Sequence, residues 1–259
     1  MLAMSAALEV VGFGILITVP LLVLSYIVIS FDFPLADGKL ASMDSALGFD
    51  WHGFIRFVDA RPLLSRVLLE AYQTISYQLI LIPMALVVFG RQQRAYAMMT
   101  GYCMLCVLAC FISMFFPALG TYAYYGLTYQ SVNNINPYFA LSPVESFNAV
   151  RDNYAYTLTA SSAAGLICFP SIHAGVAYLC TWAAWDVKAL RYPVLVLNIV
   201  MSVAAVSHAN HYLVDIISGF GTSAFVTVVV TALFYRNSRW RSMLSHQIHA
   251  LISGARSKA

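Results

Sequence analysis

Six apolar runs, parted by short polar or basic segments, decide what this chain can fold into. They are Glu9 to Phe31, Leu68 to Gly90, Ala95 to Pro117, Ser171 to Val187, Pro193 to Ser207 and His211 to Tyr235. A helix needs roughly 20 apolar residues to cross a bilayer; the fourth and fifth runs sit at the short end of that range. Inside lipid every backbone N–H and C=O must be paired within the chain, which leaves helices as the structure for such runs. Soluble domains carry about 25% charged residues. Here the share is 10%, against 61% hydrophobic residues, so most of the chain suits lipid better than water. The expectation is an all-α, polytopic membrane protein: six transmembrane helices in a bundle, plus short interfacial helices. A signal peptide is the rival reading of the first run. It calls for a basic leading region, and no Lys or Arg precedes Lys39.

Between the runs the composition changes. Residues 32–67 mix Asp32, Asp37, Asp44, Asp50 and Asp59 with Trp51, Phe54, Ile55 and Phe57; apolar residues at helical spacing from Phe49 to Val58 predict an interfacial helix. Pro83 predicts a kink in the second span. Residues 118–169 form the longest loop, rich in Tyr and Asn, and long loops of this kind are often functional. The membrane domain is taken as 1–235, followed by a basic cytoplasmic tail, 236–259, in which Met243 to Ile252 reads as amphipathic. Cys103, Cys106 and Cys110 fall at helical spacing in an apolar run with no His or acid nearby in sequence, so packing outweighs zinc as their explanation. The net charge of +3 is too small to suggest a nucleic-acid partner.

The placement of the cations gives an orientation. With six spans, Arg91, Arg94, Lys188, Arg191, Arg236, Arg239, Arg241, Arg256 and Lys258 share one side, and Lys39, Arg56, Arg61, Arg66 and Arg151 share the other. The richer side is cytoplasmic by the positive-inside rule, and both termini go with it. His173, opening the fourth span, and His211, opening the sixth, then lie together on the outer face of what reads as a bacterial inner membrane.

These two histidines head the segments that carry chemistry. His211 and Asp215 are four residues apart at a helix start and share a face. A charge this far inside a span costs about 2.5–3.5 kcal/mol on insertion scales, so it needs a partner and a task. A carboxylate on one ring nitrogen of His211 fixes the tautomer and frees the other as a nucleophile. Pro170-Ser171-Ile172-His173 opens another helix: proline suits the first turn, and the terminal N–H groups attract an anion. The Ser171 hydroxyl can donate to a phosphate oxygen, and His173 can protonate a departing alkoxide. Taken singly, each segment reads more simply as a capped helix with an interfacial histidine. The pair, on one face and at the ends of separate spans, is much rarer by chance.

The pattern P-S-x-H followed after two spans by H-x-x-x-D resembles the type 2 phosphatidic acid phosphatase superfamily. The local wording, F-P-S-x-H-A and H-Y-x-x-D-x-x-x-G, is closest to its inositol phosphorylceramide synthase-like branch. The resemblance covers about the last two-thirds of the chain. It implies that His211 attacks phosphorus, His173 protonates the leaving group and Asp215 holds the nucleophile. It implies a lipid phosphate as substrate and neither metal nor cofactor. Two family elements are missing: Ala204 and Ala205 stand where S-R is usual, and Arg61-Pro62 follows Phe54 where a lysine is usual. The phosphate clamp must then come from elsewhere. Arg151, in a V-R-D segment resembling one that precedes P-S-x-H in the synthase-like branch, is the first candidate, weighed against a solvated arginine paired with Asp152. His208 is the second. Water as acceptor makes a phosphatase; a lipid hydroxyl such as a ceramide's makes a phosphotransferase. A non-catalytic transporter or lipid-binding protein is the alternative of another class, disfavoured by the lack of an internal repeat or a broken span at the midplane. A haem bound by two membrane histidines is a third, and it leaves Ser171 and Asp215 unexplained.

Overall fold

The computed structural model describes the backbone of residues 2–152, 156–159 and 163–256 and, apart from Val10, their side chains between residues 8 and 234. Among the described residues it is helical throughout, with no strand. The first six helices are α1 (Leu2–Ile29), α2 (Asp37–Ala46), α3 (Trp51–Asp59), α4 (Pro62–Gln73), α5 (Ile75–Val88) and α6 (Gln92–Phe115). They are followed by α7 (Thr121–Tyr124), a 3₁₀ turn at Tyr129–Ser131, α8 (Tyr138–Asp152), α9 (Ile172–Ala184), α10 (Lys188–His208) and α11 (Leu213–Arg256).

Among the described residues, four helical stretches are long and apolar enough to cross a membrane: Val11–Ile29, Gln92–Phe115, Lys188–His208 and Leu213–Phe234. The expected second span is a pair, α4 and α5, bent by 55°; counted as one it makes five. The bend falls at Thr74, between the two helices, whereas the expected kink residue Pro83 lies inside α5. Six spans are therefore not reached by length and composition. The shortfall is α9, whose 13 residues rise only about 20 Å. It need not face lipid. Ala174, Val176, Leu179, Cys180, Ala183 and Ala184 are all buried, and α9 packs among α5, α6, α10 and α11. The main core therefore runs around α9, with Met98 and Leu105 from α6, Leu86 from α5, and Val226 and Val230 from α11.

The two ends of the bundle differ. At one, Arg94 at the start of α6 lies over the Trp182 ring, 3.5 Å from its centroid, and meets Asp186 at 3.7 Å. At the other, the interfacial helix expected at Phe49–Val58 is present as α3. Asp50 caps it, accepting from Gly53 N at 2.9 Å. Trp51 stacks on Tyr125 with centroids 4.9 Å apart, and Tyr122 donates to Ser207 O at 2.6 Å. Asp59 accepts from the backbone N–H groups of Asn133, Asn134 and Ile135 at 2.7–3.0 Å. The described parts of the long segment 118–169 are therefore folded rather than loose, with α7, the 3₁₀ turn and α8 among them. The expected amphipathic segment Met243–Ile252 lies outside the described side chains.

Candidate active site

α9 and α11 begin side by side. Ser171 is the N-cap of α9, its hydroxyl accepting from Ala174 N at 3.3 Å. Its own N–H donates to the backbone carbonyl of Asp215 at 3.1 Å. Gly219, one turn further along α11, makes the approach possible: a Cβ there would run into Ser171 O and crowd Ala174. Glycine at this point of the H-Y-x-x-D-x-x-x-G segment has a steric cause.

The approach aligns the chemical groups. His211 Nδ1 lies 3.3 Å from Asp215 Oδ2, with both residues buried. The same Oδ2 accepts from Tyr212 N at 2.8 Å and from the Cys168 thiol at 3.3 Å. Burial and the neighbouring Asp215 push the Cys168 thiol well above its ordinary range, so it stays protonated and is a donor here. With Nδ1 held by the carboxylate, the proton resides there and Nε2 keeps its lone pair. Asp215 Oδ1 is buried and has no partner. The His173 ring lies 6.2 Å from that of His211, centroid to centroid. Tyr72 of α4 stacks on His173 at 4.2 Å and 15°, its hydroxyl 3.5 Å from Nδ1.

Two cavities meet at His173. The smaller, about 150 Å³, is bordered by His173, His211, Cys168 and Asn210. The larger, about 910 Å³, is bordered by His173 and runs along α8 and the start of α5, past Ser76, Ser142, Glu145 and Thr157. No Lys or Arg lines either one among the described residues. The free N–H groups opening α9 supply positive potential at the small cavity instead. For a metal, the candidate donors are Cys168 Sγ, His211 Nδ1 and an Asp215 oxygen, all within 4.8 Å of one another. A protonated thiol is a poor metal ligand, and His211 Nδ1 is already engaged.

A family model described as the PAP2 superfamily matches residues 38–233, about three-quarters of the chain. The chain belongs to the PAP2 superfamily. No curated protein and no solved structure matches it. In this PAP2 chain His211, held from behind by the buried Asp215, and His173 border one small cavity, and the His173 ring sits where that cavity meets a larger one.

The other expected site residues are placed differently. Arg151 donates to Asp32 and, at 3.0 Å, to Phe33 O, which ties the end of α8 to the exit of α1; it lines neither cavity. His208 is fully buried, its Nδ1 2.9 Å from Ser207 Oγ and its Nε2 3.2 Å from Ser65 Oγ. Both nitrogens are engaged within the core, and His208 also lines neither cavity. Ser171 serves as a helix cap.

Two aspartates of α2, not singled out as site residues from the sequence, hold the loop carrying His211. Asp44 of α2 accepts from Leu213 N at 2.8 Å and Val214 N at 2.9 Å, capping α11 from outside. Asp37 accepts from Tyr212 Oη at 2.9 Å and from Gly120 N at 2.8 Å. Only the density of aspartates in residues 32–59 could have signalled such anchors.

Proposed function

We propose that this PAP2 protein is an integral membrane phosphatase or phosphotransferase acting on a lipid phosphate or phosphodiester through a phosphohistidine at His211. The observation that carries the reading is His211, bonded to Asp215 at 3.3 Å, bordering the same small cavity as His173. In the first step Nε2 of His211 attacks phosphorus. The P–N bond forms, the P–O bond to the leaving alcohol breaks, and its electron pair stays on that oxygen. His173 delivers a proton to the alkoxide. In the second step His173 takes a proton from the acceptor, the acceptor oxygen bonds to phosphorus and the P–N bond breaks. Asp215 holds the Nδ1 proton and stabilises the positive ring. No step requires a metal.

The larger cavity gives the leaving group a place to go and an acceptor a place to arrive. An acceptor with a lipid hydroxyl makes the enzyme an inositol phosphorylceramide synthase-like head-group transferase; water makes it a phosphatase. A non-catalytic transport or lipid-binding role would use the same cavities but gives the buried Asp215 no task. Purified protein incubated with a panel of lipid phosphates and phosphodiesters, with and without ceramide, tests the reading. Product is expected from the unmodified protein and none above background from His211→Ala. Equal product from both excludes the mechanism.

We place the site at the outer face of the bacterial inner membrane in a six-span arrangement, with both termini cytoplasmic. The nine-to-five distribution of basic residues supports this side. A cysteine at Gln130 should react with a membrane-impermeant reagent in intact cells and one at Gln92 should not; the reverse pattern overturns the orientation.

A further inference from the structure

The larger cavity has a charge pattern that phosphate recognition does not explain. Its lining includes one carboxylate, Glu145, and no Lys or Arg among the described residues. Tyr138, Ser142, Glu145 and Ala149 recur at helical spacing on α8 and all border the cavity, so one face of the helix is turned to it. Besides Glu145, aromatic rings mark the wall: Tyr72, Tyr77, Tyr138, Phe139 and Tyr156. Two of the cations expected at this end of the bundle are engaged elsewhere. Arg151 is held by Asp32, and Arg61 donates to Phe57 O at 2.7 Å while its guanidinium lies 3.7 Å from the Phe57 ring centroid.

A ligand that brings only negative charge meets no Lys or Arg in this cavity and, past His173, one negative group. A ligand that brings a positive charge of its own meets a carboxylate and a wall rich in aromatic rings, surroundings that favour an ammonium. The geometry points to a phosphate ester that carries an ammonium on the alcohol side lying in the larger cavity, with Glu145 as its counter-charge. This inference rests on the phosphoryl chemistry proposed above: phosphorus sits in the small cavity between His173 and His211, and the alcohol extends past His173. The ammonium takes no part in bond making or breaking and stays on its alcohol throughout. Two kinds of ester share this chemistry, a phosphodiester with a choline or ethanolamine head group and a phosphomonoester of an amino alcohol.

Matched pairs separate the two kinds. Dihexanoyl phosphatidylcholine against dihexanoyl phosphatidylglycerol tests the diester. Sphingosine 1-phosphate against ceramide 1-phosphate tests the monoester, because the amide removes the positive charge and keeps the backbone. Binding and turnover are both measured, on the unmodified protein, Glu145→Gln and Glu145→Asp. In at least one pair the ammonium-bearing member should bind about tenfold more tightly, the ratio given by a differential contact of about 1.4 kcal/mol. That ratio should fall to about twofold or less in Glu145→Gln and be partly kept in Glu145→Asp, on the same arithmetic. Equal binding within both pairs, or a preference that survives Glu145→Gln, overturns the inference. Turnover reports separately on the phosphoryl chemistry: preferential binding without turnover overturns that chemistry and leaves the ammonium site standing, and turnover without preference does the opposite.

Discussion

The backbone N–H of Ser171 donates to the backbone carbonyl of Asp215 across 3.1 Å, so the start of one histidine segment is bonded to the end of the other. This bond joins α9 to α11 where both helices begin, and it depends on the bare α-carbon of Gly219. Gly219→Ala places a methyl against Ser171 O and should cost about 1–3 kcal/mol, the usual range for overpacking a tight contact. Gly219→Val should cost more. Thermal unfolding in detergent measures the stability. Activity should fall with it, because separating the helices separates His173 from His211. Unchanged stability in both variants would show that the contact is not tight.

Asp44 is the second anchor. It is buried, and burial pushes its carboxyl above the usual range while the N–H groups of Leu213 and Val214 pull it back. Asp44→Asn keeps one acceptor oxygen for two donors and leaves a buried N–H without a partner, at a cost of about 1–3 kcal/mol. Because the loop it holds carries His211 and Asp215, kcat should drop more than KM rises. A variant with lower stability but unaltered kcat would make Asp44 a purely structural anchor.

Asp59 gives a dependence on pH. Burial raises its carboxyl, but the N–H groups of Ile135, Asn134 and Asn133 outweigh this and hold it below the usual value. A carboxylate depressed on folding contributes stability that is present above its unfolded pKa of about 3.9 and is lost as pH falls through the folded value. Protease protection of residues 127–137 should therefore persist at neutral pH and fall below about pH 4. Asp59→Asn should weaken that protection at neutral pH already. Equal protection of variant and unmodified protein at pH 7 would contradict the anchoring role.

What the sequence made legible was the local chemistry. The apolar runs located nearly every long helix, the i and i+4 spacing placed His211 against Asp215, and P-S-x-H marked a capped helix start. Distance along the chain hid the rest. Arg151 reads as a phosphate clamp or a partner of Asp152 because its actual partner Asp32 is 119 residues away, and His208 reads as a second clamp candidate because Ser65, 143 residues away, cannot be paired with it by pattern. Asp44 reaches Val214 across 170 residues, and no periodicity reports such a bond. The break at Thr74 is equally hidden: the change from α4, which carries Arg66 and Glu70, to the uncharged α5 does not specify a bend, and Pro83 is the stronger local signal. Tyr72 was read as part of a span, and its stacking on His173 emerges only from the bend of that span.

The division of labour between the histidines is open to a leaving-group test. His173 protonates an alkoxide, a contribution typically worth about 10²–10⁴-fold. A nitrophenyl phosphate ester leaves without that proton. His173→Ala should be crippled on a lipid phosphate and partly rescued on the activated ester for the phosphorylation step, provided the unmodified protein accepts that ester. Tyr72→Phe keeps the stacked ring but removes the hydroxyl beside Nδ1, so it should lose less than His173→Ala while showing the same dependence on leaving group. Equal losses for His173→Ala on both substrates would remove its role as the acid.

The central claim is that phosphorus becomes bonded to His211. Purified protein reacted briefly with a ³²P-labelled lipid phosphate that it turns over, quenched in alkali and digested, should yield acid-labile, alkali-stable phosphate on the peptide containing His211. His173→Ala should still accumulate it from an activated ester, and Asp215→Asn should form it more slowly. His211→Ala should form none. Bound acid-labile phosphate in His211→Ala, or turnover by the unmodified protein with no phosphate on the His211 peptide at any quench time, would contradict the account.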